Sequence, residues 1–173
     1  MKTRTSTTPR QLVIIVSSLC VLFLFSWFVW QRLQPKPLAA LPNDVSQKLL
    51  FTPYIPSELP DGYVLQSPSP YSYKDGALFI TARNSKKTAS DPILISEQST
   101  PKSFDVDGFY QNIIASPVRL EGTPSTTVYG TRKGSTGTVV GVTTKDNTWI
   151  LVTSPSTLKK DEIKRFVTGL IPQ

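Results

Sequence analysis

Residues Leu12 to Trp30 (LVIIVSSLCVLFLFSWFVW) run for nineteen positions without a charge, a glycine or a proline, between Arg10 and Gln31-Arg32. At 1.5 Å per residue a helix of that length spans roughly 28 Å, about the hydrocarbon thickness of a bilayer. No other stretch of the 173 residues is apolar for as long. The expectation is therefore a single transmembrane helix over residues 12–33, entered at Leu12 and bounded at its far end by Trp27, Trp30 and Arg32. The tryptophans are the amphipathic rings that sit at a headgroup boundary.

A cleaved signal peptide has a shorter apolar core and a small-residue cleavage site close behind it. Here the first such site, Leu38-Ala39-Ala40, follows Trp30 only after Arg32, Pro35, Lys36 and Pro37. The run reads as an uncleaved anchor. Lys2, Arg4 and Arg10 precede it with no acid among them, and a long domain follows, so the N-terminus is expected in the cytoplasm. The layout is then a cytoplasmic tail (1–11), the span (12–33), a proline-rich spacer (34–43) and an extracellular domain (44–173). The lipid bilayer is the expected partner of residues 12–33.

Charge supports the same division. The formal net charge is +7, but residues 1–43 hold five basic groups and no acid, whereas residues 44–173 hold fourteen basic and twelve acidic groups. The excess flanks the membrane run, and nucleic-acid binding is rejected. The one cysteine, Cys20, lies inside the apolar run, so the outer domain has no disulfide. Histidine is absent, which removes Ser-His and Cys-His nucleophile systems and the common zinc sites. No N-x-[ST] sequon occurs, in keeping with a bacterial cell envelope.

Local signals then organise the outer domain. Asn43-Asp44 offers a cap for a short helix, Val45 to Phe51, stopped by Pro53. Pro60-Asp61-Gly62-Tyr63 is a turn leading into a strand at Tyr63 to Gln66. Tyr71–Tyr73, Lys74-Asp75-Gly76 and Ala77 to Ala82 form a hairpin with an Asp-Gly turn. Further strands are expected at Ile93–Glu97, Val118–Glu121, Thr126–Thr131, Thr138–Thr144 and Thr148–Thr153. Phe104 to Ile114 is ambiguous, with Asp105 or Asp107 placed to cap a short helix. The last element is a helix, Leu158 to Leu170, capped by Ser156 or Thr157. It carries Ile163, Phe166, Val167 and Leu170 on one stripe and an Asp161–Arg165 pair outside. The fold class is α+β: a mostly antiparallel, curved sheet with the C-terminal helix packed on it.

The opening Pro56-Ser57-Glu58-Leu59-Pro60-Asp61-Gly62-Tyr63 precedes this set of strands. A late module follows it: a glycine-bearing strand (Gly141–Thr144), Trp149-Ile150-Leu151-Val152, then a capped helix from Ser156 to Leu170. Together these resemble the extracytoplasmic domain of unknown function in Gram-positive anti-sigma and sporulation-type membrane proteins. The resemblance covers roughly residues 50–172, with Pro60, Gly62 and Tyr63 as its turn motif. It implies a fold similar to lipoprotein carriers and sigma-regulator sensors, and it brings no catalytic residues. The cytoplasmic sigma-binding segment of the anti-sigma members has no counterpart in the eleven residues before the span.

Chemical motifs are thin. Asp105-Val106-Asp107-Gly108 begins like a calcium loop but has Phe109 and Ser116 where ligands are needed, so helix capping is the expected role. Ser156-Thr157-Leu158-Lys159 matches S-x-x-K without the other elements of that catalytic set. Glu58, Glu97 and Glu121 are acids with no context that pairs them for glycoside chemistry. Arg83 to Lys87 and Lys159 to Arg165 are basic clusters that read as solvated faces. Tyr63, Tyr71, Tyr73, Phe79, Trp149 and Phe166 are the candidates for an apolar groove between sheet and helix; core packing is their other use. The chain is expected to be non-enzymatic, with no cofactor and no metal. It would bind or sense an envelope protein or an apolar ligand. A lipid carrier and a small anchored envelope hydrolase are the alternatives.

Overall fold

The structure is a computed structural model and describes residues 37–85 and 92–173. The expected membrane span, with Leu12, Trp27, Trp30 and Arg32, lies outside the described residues, as do Lys86 and Lys87 of the first basic cluster. Among the described residues no helix is long and apolar enough to cross a membrane.

The described chain opens with a short helix α1 (Asn43–Ser46), then strands β1 (Tyr54–Pro56), β2 (Tyr63–Leu65), β3 (Tyr71–Lys74), β4 (Ala77–Asn84) and β5 (Ile93–Ser99). Helix α2 (Val106–Ile113) follows, then β6 (Ile114–Leu120), β7 (Thr126–Arg132), β8 (Thr138–Thr143), β9 (Thr148–Ser154), helix α3 (Lys160–Thr168) and β10 (Leu170–Pro172). The main sheet has the order β2-β4-β5-β9-β8-β7-β6, with β3 continuing the β2 edge alongside β4. Every pairing in it is antiparallel. Two meanders, β2 to β5 and β6 to β9, thus meet where β5 pairs with β9. The fold is α+β, as the strand and helix signals predict.

Alternation along the strands sorts side chains onto two faces. On the first, the cross-strand rows Ile80–Ile95–Val152–Val140 and Leu78–Glu97–Ile150–Val142 run through the centre of the sheet. Helix α3 lays Ile163, Phe166 and Val167 on this face, and all three are buried. On the second face, α2 packs Tyr110 against Val128, Val139 and Trp149, with Phe104, Phe109, Ile113 and Leu151 around them. The sheet therefore carries one helix on each face, and its two hydrophobic cores lie back to back.

Where local signals were strong the elements match them. The Asp75-Gly76 loop joins β3 to β4 with φ of 52° and 81°, the two positive values such a turn requires. The Asp105 carboxylate accepts from the Gly108 N–H at 2.9 Å, the cap expected for α2.

Several expectations are corrected, and the strand expected at Val118–Glu121 is Ile114–Leu120, starting directly after α2. The helix expected over Val45 to Phe51 is only Asn43–Ser46; beyond it Leu49 and Phe51 turn to pack half-buried against the first core. The proline-punctuated stretch after it holds β1, and the terminal helix stops at Thr168 because Leu170–Pro172 pair with Tyr54–Pro56. Ser156 and Thr157 do not cap α3. The Glu162 carboxylate takes the Lys159 N–H at 2.8 Å, and the Thr138 hydroxyl takes the Leu158 N–H at 2.8 Å. Arg165 reaches Asp61 at 3.4 Å rather than Asp161, an exposed contact of little energetic weight.

Candidate functional site

The six aromatics expected to line one groove are divided between the two faces. Tyr71 and Phe166 are buried in the first core, where the Tyr71 hydroxyl donates to the Ala39 carbonyl at 2.9 Å. Tyr73 follows Tyr71 by two residues and shares its face, half-buried. Phe79 stands opposite Ser72 and Ser96, on the second face, also half-buried. Trp149 is buried on that second face and its indole N–H donates to the Tyr110 hydroxyl at 2.7 Å. The space between sheet and α3 is thus filled by Phe166, Tyr71 and the isoleucine rows.

Of the six, Tyr63 borders a depression. A groove of about 320 Å³ is lined by Leu38, Ser57, Glu58, Leu59, Tyr63, Val64 and Leu65. Its volume is at the lower end of the range for ligand sites, roughly 300–1,000 Å³. Leu38 is 46 % exposed and Val64 51 %, and both border this one depression. The turn motif builds one end. Gly62 holds φ of 84°, the Tyr63 N–H donates to the Pro60 carbonyl at 3.0 Å, and the Tyr63 hydroxyl is 3.0 Å from the Ser156 Oγ. Leu38 forms the facing wall and is fixed by its N–H to the Pro56 carbonyl at 2.9 Å.

The groove lies on β2, the terminal strand of its sheet. Toward β4, the Ser85 N–H reaches the Gly62 carbonyl and the Gln66 N–H reaches the Thr81 carbonyl. Antiparallel alternation then directs the backbone of Val64 at β4 and that of Leu65 at the open edge. An apolar trough and outward-facing peptide groups sit side by side.

The other acid and nucleophile candidates do not assemble with it. Glu58 borders the groove and Glu121 is exposed, whereas Glu97 is fully buried. Ser156 shares its Oγ between Tyr63 and Ser154, while Lys159 stands at the N-cap of α3. Asp107 pairs with Arg119 at 3.6 Å across the surface. Among the described residues no group of three His, Cys, Asp or Glu is placed to hold a metal ion.

Sequence reasoning missed two features. Leu38 and Val64 matter only through a meeting of segments twenty-six residues apart, and nothing local signals it. Glu97 did carry a signal: it is in phase with Ile93 and Ile95, both buried, so period-2 alternation already assigns it to the core face. Its carboxyl accepts the Tyr54 N–H at 2.8 Å through Oε2, while Oε1 has no partner. Burial pushes this carboxyl up to about 8 from the ordinary 4.5, against the smaller lowering effect of the Tyr54 bond. No protein-family model, curated protein or solved structure matches this chain.

Proposed function

We propose that this chain is a single-pass membrane protein of a bacterial envelope whose outer domain binds an extended apolar segment of a partner protein at the β2 edge. The carrying observation is the groove of Leu38, Leu59, Val64 and Leu65 beside the outward-facing backbone of Leu65. An extended peptide adds to a free strand edge through main-chain hydrogen bonds and gains specificity by placing side chains in an adjoining trough. The apolar run of residues 12–30 supports the anchor and the cytoplasmic N-terminus. A lipid carrier needs an enclosed apolar chamber; here the space under α3 is occupied by Phe166 and Tyr71.

The test is a photo-crosslinking amino acid placed at Val64 in the full chain in its own membrane, with Lys133 as a control position. A discrete protein adduct at 64, absent at 133 and lost when Leu38 is changed to Asp, supports the reading. Adducts to lipid alone, or none at 64, overturn it.

A further inference from the structure

Residues 37–56 cross the first face of the sheet as a strap between the start of the described chain and β1. We propose that this strap is a detachable element latched to the sheet through Glu97, and that ionisation of the Glu97 carboxyl unlatches it. The inference does not rest on the β2 groove reading, although Leu38 of the strap also lines that groove.

Glu97 stands in a cross-strand row between Leu78 and Ile150, and α3 presents only Ile163, Phe166 and Val167 to that face. The carboxyl is fully buried, with one donor, the Tyr54 N–H of the strap, and one oxygen without a partner. The described salt bridges, Arg119–Asp107 and Arg165–Asp61, are both at the surface. The titratable groups that feel its charge are the hydroxyls of Tyr54 on β1 and Tyr71 on β3. Tyr54 in turn donates to Asp146 of the β8–β9 turn at 2.7 Å, which adds an acid to that end of the strap. Burial, then the nearby Glu97, push Tyr71 up to about 12, so both tyrosines stay neutral while Glu97 titrates. The protonated carboxyl is tolerated with a single donor. A carboxylate in the same place is an uncompensated buried charge, costing several kcal/mol unless water or a cation reaches it.

Water reaches Glu97 by displacement of whichever neighbour is held least. Strands β4, β5 and β9 are each laddered on both sides. The strap has no ladder of its own before β1. Helix α1 buries no residue, and Leu50 beside it is 92 % exposed. Besides the Tyr54 contacts, its fastenings are the Thr148 hydroxyl on the Thr52 carbonyl at 2.8 Å, the Tyr71 hydroxyl on the Ala39 carbonyl, the Gln173 N–H on the Pro53 carbonyl at 3.0 Å, the three-residue ribbon with β10, the buried Ile55 and the half-buried Leu41, Val45, Leu49 and Phe51. A segment held by single bonds, one short ribbon and mostly half-buried side chains opens before strands laddered on both sides. The carboxyl that needs water and the segment that can admit it are joined by one hydrogen bond.

The experiment is hydrogen exchange read by mass spectrometry on the full chain at pH 6 and pH 9, as protection factors, for the wild type and Glu97→Gln. In the wild type, peptides covering 38–56 lose about a hundredfold protection between these pH values, because opening restores the carboxyl to its ordinary range and the loss accumulates over the two units up to its folded midpoint near 8, while β9 keeps its own. In Glu97→Gln the strap keeps its protection at both. Constant strap protection in the wild type, an equal loss in Glu97→Gln, or a joint loss by strap and β9 overturns the proposal. Should Glu97→Gln fail to fold, Thr148→Val removes the Thr52 tether and leaves the carboxyl in place. The strap then opens at a lower pH; an unshifted opening overturns the latch.

Discussion

The Tyr110 ring lies directly over Gly141, close enough that a Cβ at position 141 would collide with it, and this dent in β8 is what lets α2 settle on the second face. From there the Tyr110 hydroxyl takes the Trp149 indole N–H, with Phe104 tilted and Phe109 edge-on to the Trp149 ring, each at 5.1 Å. Helix, glycine and tryptophan form one joint. Gly141→Ala is expected to destabilise the fold by about 1–3 kcal/mol through overpacking. Tyr110→Phe is expected to cost about 1–3 kcal/mol by leaving the buried indole N–H unpaired. Urea unfolding followed by tryptophan fluorescence checks both, and a midpoint equal to wild type in either variant rejects this account of the joint.

Adjacent residues of β5 should respond oppositely. Ile95 is fully buried in the first core, so Ile95→Ala is expected to cost about 2–5 kcal/mol. Leu94 is 37 % exposed on the other face, and Leu94→Ser should stay within about 0.5–1 kcal/mol of wild type. Equal losses in thermal melts would mean that the second face is covered where β5 runs.

The pH dependence has a definite sign. A carboxyl raised from 4.5 to about 8 in the folded state favours folding fully below pH 4.5, and that contribution is lost as pH rises through 8. The wild-type Tm should therefore fall between pH 5 and pH 8, with a maximum slope of about 1.4 kcal/mol per pH unit from this group. Glu97→Gln keeps an oxygen for the Tyr54 N–H and cannot ionise, so its Tm should be flatter across the window and higher than wild type at pH 8. Parallel melting curves would assign the pH dependence to other groups.

At the start of α2, Asp105→Ala removes the cap on the Gly108 N–H and is expected to cost about 1 kcal/mol. Arg165→Ala, which loses only the exposed contact with Asp61, should change stability by no more than about 0.5 kcal/mol. Chemical denaturation of the two variants side by side separates a terminus that needs its cap from a surface pair that does little.

What the residues disclosed in advance was local. Alternation placed β4, β5, β7, β8 and β9 close to their observed bounds, and the Asp75-Gly76 turn and the Ile163–Phe166–Val167 stripe needed no tertiary information. The aromatics were readable as apolar but not by face: Tyr71 and Trp149 alternate just as well in either phase, and only the β4–β5–β9 register sets them back to back. The pairing of Tyr54–Pro56 with Leu170–Pro172 was hidden by the prolines that punctuate both segments. The groove could not be read at all, because Leu38 and Val64 meet only after the strap has crossed the sheet. The one buried acid was readable from its phase with Ile93 and Ile95.

The pairing of β5 with β9 also governs how the chain must assemble. Leu94 pairs with Thr153 and Ser99 with Thr148, separations of 59 and 49 residues, so the central ladder of the main sheet closes only once β9 is made, and the β1–β10 ribbon closes after it. Until residue 154 is in place, Ile93 and Ile95 have no partner on that side and the first meander exposes an unpaired, apolar strand. Loop closure of this span slows barrier crossing relative to helical domains of the same size. The first meander therefore lacks its β9 neighbour until that strand is made, and α3 and β10 add the last cover and the last ribbon after it.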